Sequence, residues 1–228
     1  MTGTITHLVL ALILFVGGHF LMSHPLRGSL VKAMGENVFR LAYSLVAGIG
    51  LVWTIIAYRA APQIEIWPQL EGLRLVVNIV MLFACILMAG SYVTPNPYMK
   101  LYIRAPGEVP KVDGVFAITR HPLMWAFGLW ALSHLVMNGD LATILLTTSM
   151  AFLALIGARF QDAKLVAKHG AHWEGFEHST SYWPFLALVK GEQSWKSIGI
   201  WPFIVGFGLY VLLLIAHQWI GGISAAPH

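Results

Sequence analysis

Residues 5–22 read Ile-Thr-His-Leu-Val-Leu-Ala-Leu-Ile-Leu-Phe-Val-Gly-Gly-His-Phe-Leu-Met, with no Asp, Glu, Lys or Arg among them. As an α-helix this run rises about 27 Å, close to the roughly 30 Å hydrocarbon core of a bilayer. In water such a helix would have to cover nearly every face. In lipid it needs no cover, because the helix satisfies its own peptide groups. Residues 1–23 contain no basic residue, and the first is Arg27. A cleaved signal carries positive charge ahead of its apolar core, so this run reads as a retained first helix.

Five more stretches have the same character, at residues 38–58, 73–93, 122–137, 141–158 and 198–220. The expected fold is therefore all-α, a polytopic bundle of about six transmembrane helices forming a single membrane domain over residues 1–228. The fourth stretch is the shortest. Asn138-Gly139-Asp140 is a turn signal that makes the fourth and fifth helices a hairpin.

Composition agrees with this reading. The chain of 228 residues is 57% hydrophobic and 11% charged, against about 25% charged in an average soluble domain. A pI near 9.3 would suit a nucleic-acid partner only if the basic residues formed one patch. They are instead spread over short loops, so nucleic-acid binding is not expected. Cys85 is the single cysteine, which excludes an intrachain disulfide and covalent c-type haem attachment.

Loop charge gives an orientation. Arg27, Lys32, Arg40, Lys100, Arg104, Lys111, Arg120, Arg159, Lys164, Lys168, Lys190 and Lys196 belong to the first, third and fifth loops, leaving only Arg59 and Arg74 on the other side. The positive-inside rule puts the richer side in the cytoplasm and both termini on the periplasmic side. A bacterial inner membrane is the expected location. Pro95, Pro97, Pro106 and Pro110 argue against a long helix within residues 95–120. Val166, His169, Trp173 and Phe176 have the spacing of a short amphipathic helix at the interface. Trp183, Trp195 and Trp201 suit the headgroup boundary.

Ionisable side chains inside a span are costly and ask for a reason. Here they are mostly histidines: His7 and His19 in the first span, His134 in the fourth and His217 in the sixth. Neutral imidazole is comparatively cheap to bury and is a good iron ligand. His134 stands about 20 Å above His121 along the fourth helix, and His19 and His134 differ in height by roughly 10 Å. That separation suits two imidazoles reaching one haem iron. His7, His134 and His217 form a rival group near the outer ends. For each histidine taken alone, hydrogen-bonded packing is the commoner role. Arg120 and His121, before Pro122 at the mouth of the fourth helix, are candidates to hold a carboxylate, a haem propionate or a substrate. His169 and His172 have a metal-binding spacing but no evident third ligand.

Taken together, Gly17-Gly18-His19-Phe20-Leu21-Met22-Ser23, Arg27, Gly35-Glu36 and Arg40-Leu41-Ala42-Tyr43-Ser44 resemble the opening of the NnrU family. Thr119-Arg120-His121-Pro122, Trp130-Ala131-Leu132-Ser133-His134-Leu135 and Asn138-Gly139-Asp140 resemble its middle. Gly170, Trp173 and Thr180-Ser181-Tyr182-Trp183-Pro184-Phe185 resemble its tail. The resemblance covers nearly the whole chain. It implies a role in bacterial denitrification, in nitrite and nitric oxide handling. The family is similar to 15-cis-zeta-carotene isomerase, a membrane enzyme with haem b held by two histidines. By motif the ligands would be His19 and His134, with His121 in support. Ala131 stands where that enzyme has a cysteine able to act as an alternate ligand, so ligand exchange of that form is not implied here. The Arg-His-Pro corner is also similar to membrane methyltransferases of the isoprenylcysteine carboxyl type. Met124 or Trp125 replaces their Tyr, which implies a distant fold relationship and not methyl transfer.

Three functions follow as expectations. The first is a haem b protein of nitrite or nitric oxide metabolism. The second is a haem-dependent cis–trans isomerase acting on an apolar polyene such as a carotenoid. The third is a haem-free membrane assembly factor or small transporter whose histidines only pack.

Overall fold

The computed structural model of the protein describes residues 3–97 and 111–220, without the side chains of residues 168, 169, 171, 172 and 220. It contains the helices α1 (Ile5–Ser23), α2 (Arg27–Met34), α3 (Glu36–Ala60), α4 (Arg74–Val93), α5 (Pro122–Met137), α6 (Leu141–His169), α7 (Ala171–Ser179), α8 (Leu186–Val189) and α9 (Trp201–Ile220). There are no named strands among the described residues. Five helices, α1, α3, α4, α6 and α9, are long and apolar enough to cross a membrane. The sixth apolar helix, α5, has 16 residues and rises about 24 Å. The protein is thus an all-helical, polytopic membrane protein. Ile13, Leu41, Ile49, Leu75 and Ile79 are between 61% and 67% exposed, as lipid-facing side chains should be.

The chain forms two compact units. One comprises residues up to Leu70 together with His134–Leu153. In it, α1 begins at Thr4, whose side chain accepts the His7 backbone N–H at 3.1 Å and satisfies one of the unpaired donors at the helix start. Gly35 separates α2 from α3 with φ 81°, a conformation that glycine adopts at little steric cost. Glu36 opens α3 and binds both Arg27, at 2.7 Å, and Arg40, at 3.1 Å. Its negative charge sits where the helix dipole favours it.

Contacts between α1 and α3 run in opposite chain directions, from Gly3–Ala60 through His7–Trp53 and Phe15–Gly50 to His19–Tyr43. The two helices are therefore antiparallel. Leu8, Ala11, Leu12, Ala57 and Ala142 form the buried centre of this unit. The Asn138-Gly139-Asp140 turn is present as expected. Asp140 Oδ1 accepts the Thr143 N–H at 3.0 Å and so caps α6. Gly139 accepts the Ile66 N–H at 2.7 Å. A Cβ on Gly139 would run into the Trp67 carbonyl, so the turn needs glycine for space.

The second unit comprises Glu71–Ser133 and the residues from Ala154 onward. Here α4 and α9 are antiparallel neighbours, through Gly90–Pro202, Ile86–Gly206 and Asn78–Tyr210. Two glycines let the backbones approach, as is usual between helices in lipid. The Tyr210 hydroxyl donates to Asn78 Oδ1 at 2.9 Å. Ile86, Leu87, Val115, Phe116, Ile118, Trp125, Trp173, Phe176 and Tyr182 lie in the core of this unit.

Two expectations are corrected here. Helix α6 does not end near residue 158 but continues to His169, because Asp162 is internally paired and the helix need not stop for it. Trp173 and Phe176 do not face lipid or solvent. Gly170, at φ 50°, breaks the helix, and both rings on α7 are fully buried in the core. Of the proline-rich stretch, residues 98–110 lie outside the described residues.

Candidate functional site

His19, on α1, is half-buried. Its Nδ1–H donates to the carbonyl of Phe15, one turn earlier, at 3.0 Å. A carbonyl can only accept, so the proton is on Nδ1 and the lone pair of the neutral ring is on Nε2. This backbone contact is what commonly orients a metal-bound histidine. The ring is boxed edge-on by Phe15, with centroids 4.7 Å apart, and by Tyr43 of α3, at 5.5 Å. A Cβ added to Gly17 or Gly18 would meet nothing within 4 Å, so the helix surface beside His19 is clear of other protein atoms. An imidazole with fixed tautomer, fixed plane and a clear helix surface next to it fits the chemistry of an axial haem ligand.

His134 lies in the last turn of α5 and belongs to the same unit as His19. It is half-buried, and its carbonyl accepts both the backbone and side-chain N–H of Asn138 at 3.0 Å. Ala131, one turn earlier, is fully buried.

His7 has a different setting. Its Nε2 accepts the indole N–H of Trp53 at 2.8 Å. That bond leaves the proton on Nδ1 and ties α1 to α3 through a lone pair that a metal would need. His217 is half-buried in the last turn of α9, in the second unit. Among the described residues no three His, Cys, Asp or Glu side chains are placed to hold a metal ion. A haem iron needs at most two ligands from the protein. The side chains of His169 and His172 are outside those described.

Arg120 and His121 build a second cluster, within the second unit. Both are buried, at 7% and 4% exposure, and so is Asp162 on α6, at 7%. Asp162 Oδ2 accepts from Arg120 Nε at 2.9 Å, and Asp162 Oδ1 accepts from His121 Nε2 at 2.7 Å. Arg120 Nη2 also reaches Glu177 of α7 at 3.1 Å, and its backbone N–H donates to the Ser181 carbonyl at 2.8 Å. One carboxylate thus pairs with both members of the Arg-His corner, satisfying charges that would be costly to bury alone.

The corner is stitched to residues 180–185. Thr119 Oγ1 and Trp125 Nε1 both donate to the Tyr182 carbonyl, at 2.7 and 2.8 Å. The Tyr182 hydroxyl donates to the Leu155 carbonyl at 2.8 Å, and burial pushes its pKa up, which keeps it a donor. The Phe185 N–H donates to the Ile118 carbonyl at 2.8 Å, with Phe185 at φ 68°. Two motifs some sixty residues apart in sequence are therefore one hydrogen-bonded body.

Sequence reasoning did not single out Asp162, Glu177 or Trp53, and it met Tyr43 only within the Arg40–Ser44 motif, with no role. Asp162 carried a usable signal. It follows Leu155 and Ala158 at helical spacing, and both of those face the core of this unit, so the next residue on that face had to be buried with a partner. No local signal ties Trp53 to His7 or Tyr43 to His19, because only the antiparallel pairing of α1 with α3 brings them together.

Comparison with known proteins follows the same outline. The family described as NnrU protein matches residues 7–225. The chain is 29% identical over 195 residues to a protein of Zea mays named 15-cis-zeta-carotene isomerase, chloroplastic, covering 82% of this chain and 51% of that protein. It is 27% identical over 211 residues to the protein of the same name from Arabidopsis thaliana, covering 86% of this chain and 56% of that one. The chain thus spans about half the length of these relatives. No solved structure matches it.

Proposed function

Because this chain belongs to the NnrU family, we propose that it is a haem b membrane protein whose reaction is the cis–trans isomerisation of an apolar polyene. The observation that carries the haem reading is the His19–Phe15 bond of 3.0 Å. It holds the imidazole with Nε2 as the electron-pair donor before any iron arrives. The polyene is carried over from the names of the two plant relatives.

In this reading His19 and His134 would hold the haem iron. A bound haem would supply a redox-active iron able to share electron density with a conjugated double bond. The chain's own contribution is positional. Phe15 and Tyr43 hold the plane of the His19 ring. Asp162 and Glu177 hold Arg120 and His121 at the start of α5, the helix that carries His134. The lipid-exposed helices admit an apolar substrate directly from the bilayer. A bacterial inner membrane, with both termini periplasmic, belongs to the same proposal and is supported by the loop charge distribution.

The test is conversion of 15-cis-zeta-carotene by the purified protein in detergent, followed by chromatographic separation of isomers before and after reduction with dithionite. Conversion by wild type and none by His19→Ala supports the proposal. If the wild-type protein contains haem, leaves the polyene unchanged and binds nitric oxide when reduced, the isomerase reading is lost and the nitrogen-oxide role takes its place. A wild-type protein that contains no haem removes both.

A further inference from the structure

Four described arginines, Arg27, Arg40, Arg74 and Arg120, are paired with carboxylates. Arg59 is in none of the described ion pairs, and neither is Arg159. It is exposed on α6, and its guanidinium lies over the ring of Tyr182, 4.0 Å from the centroid, and 5.8 Å from that of Trp183. Tyr182 is itself fixed at both ends, by its hydroxyl on Leu155 and its carbonyl beneath Thr119 and Trp125. Stacking on an anchored ring uses the π-face of a guanidinium. One of its N–H groups hydrogen-bonds the Tyr182 side chain, and the remaining donors are of the kind that recognises phosphate.

The neighbouring chain turns large apolar side chains outward among charged ones, Lys190, Glu192 and Lys196. Trp183 is 53% exposed, Val189 75% and Trp195 58%, while Ala187, Leu188 and Ile198 of the same stretch are buried. Phe185 ties this stretch down, stacking on Phe83 at 5.2 Å and on Trp195 at 6.1 Å. Lys190 and Lys196 are exposed within it. With two outward lysines and Arg159 against the single outward carboxylate of Glu192, and with outward tryptophans, this surface is complementary to an anionic headgroup above acyl chains.

We propose that Arg159, Tyr182 and Trp183 form a binding site for the phosphate of an anionic phospholipid, with residues 183–201 seated in the headgroup layer around it. Arg159 takes the phosphate. Tyr182 holds Arg159 in place, and Trp183 lies along the glycerol and upper acyl region. The site lies within one unit and uses none of the candidate haem ligands, so it stands independently of haem.

The test reconstitutes the full chain in nanodiscs of equimolar phosphatidylcholine and phosphatidylglycerol. The protein is then extracted in mild detergent and its retained lipids are counted by native mass spectrometry. Wild type is expected to retain phosphatidylglycerol over phosphatidylcholine by about fivefold, the contribution of one basic residue near a membrane surface. Arg159→Ala should abolish the preference. Arg159→Lys should keep part of it, since charge remains and the planar fork is lost. Trp183→Ala should lower total retained lipid with the preference intact. Arg159→Ala protein that unfolds at the wild-type midpoint and still prefers phosphatidylglycerol as wild type does would overturn the proposal. So would loss of the preference in millimolar inorganic phosphate, which would assign the site to a free anion.

Discussion

His121 and Asp162 meet at 2.7 Å across 41 residues of sequence, and the Asp162 carboxylate, which also pairs with Arg120, joins the start of α5 to the last third of α6. Replacing Asp162 by Asn removes the charge that compensates Arg120 while leaving a side chain of equal size. Breaking one partner of a buried pair costs about 3–5 kcal/mol. Thermal unfolding of Asp162→Asn in detergent should show a loss in that range. Glu177 has a side chain 37% exposed, and Glu177→Gln should cost no more than about 1 kcal/mol. Equal losses for the two variants would contradict this division of labour.

The His7–Trp53 bond of 2.8 Å joins α1 to α3 at the end opposite His19. Trp53→Phe keeps an aromatic ring but removes the donor, leaving Nε2 of His7 without it. A loss of about 1 kcal/mol is expected for a half-buried acceptor deprived of its donor. The double variant Trp53→Phe with His7→Phe should recover part of that loss, because neither polar atom is then left behind. The measurement is a double-mutant cycle on unfolding midpoints.

Close approach of α4 and α9 depends on Gly206, where a Cβ would strike the backbone of Ile86. Gly206→Leu should therefore lower yield and thermal stability sharply. Gly17→Ala should be tolerated for stability, since its Cβ meets nothing within 4 Å. Any effect of Gly17→Ala on haem content would then report on a ligand beside His19. Fluorescence-detected size exclusion separates the two outcomes.

Sidedness follows from the loop charges and is open to chemical test. Cys85 is buried and should resist an impermeant maleimide in native protein. Gln69 and Glu192 are exposed. In intact cells of a bacterial host, Gln69→Cys should label directly, and Glu192→Cys only after permeabilisation. The reverse pattern would invert the topology.

The six apolar helices were legible because each is built on an apolar run, whereas the polar α2, whose Arg27 and Lys32 read as loop, was not. Their ends were less so. Residues beyond 158 looked like loop because charge returns at Arg159, yet α6 continues to His169 with Asp162 satisfied by partners some forty residues earlier. Trp173 and Phe176 read as interfacial because aromatic spacing on a short helix is the same whether the face meets lipid or core. Their burial depends on which elements surround them. At the site, His19 stood out as an imidazole in an apolar run. Its tautomer, set by Phe15, and its box of Phe15 and Tyr43 are properties of geometry alone. Arg120 and His121 were visible as a corner, while Asp162, the residue that organises them, was hidden by its distance in sequence.

Ligation by His19 is tested most directly by the absorption spectrum of the purified protein, with a pyridine haemochrome count of haem per chain. Wild type should show a Soret band with one haem b per chain. His19→Ala and His134→Ala should each lose or shift the band while His7→Ala keeps it unchanged. Wild-type protein from haem-sufficient cells with no Soret band, or a His19→Ala variant whose spectrum matches wild type, would contradict it.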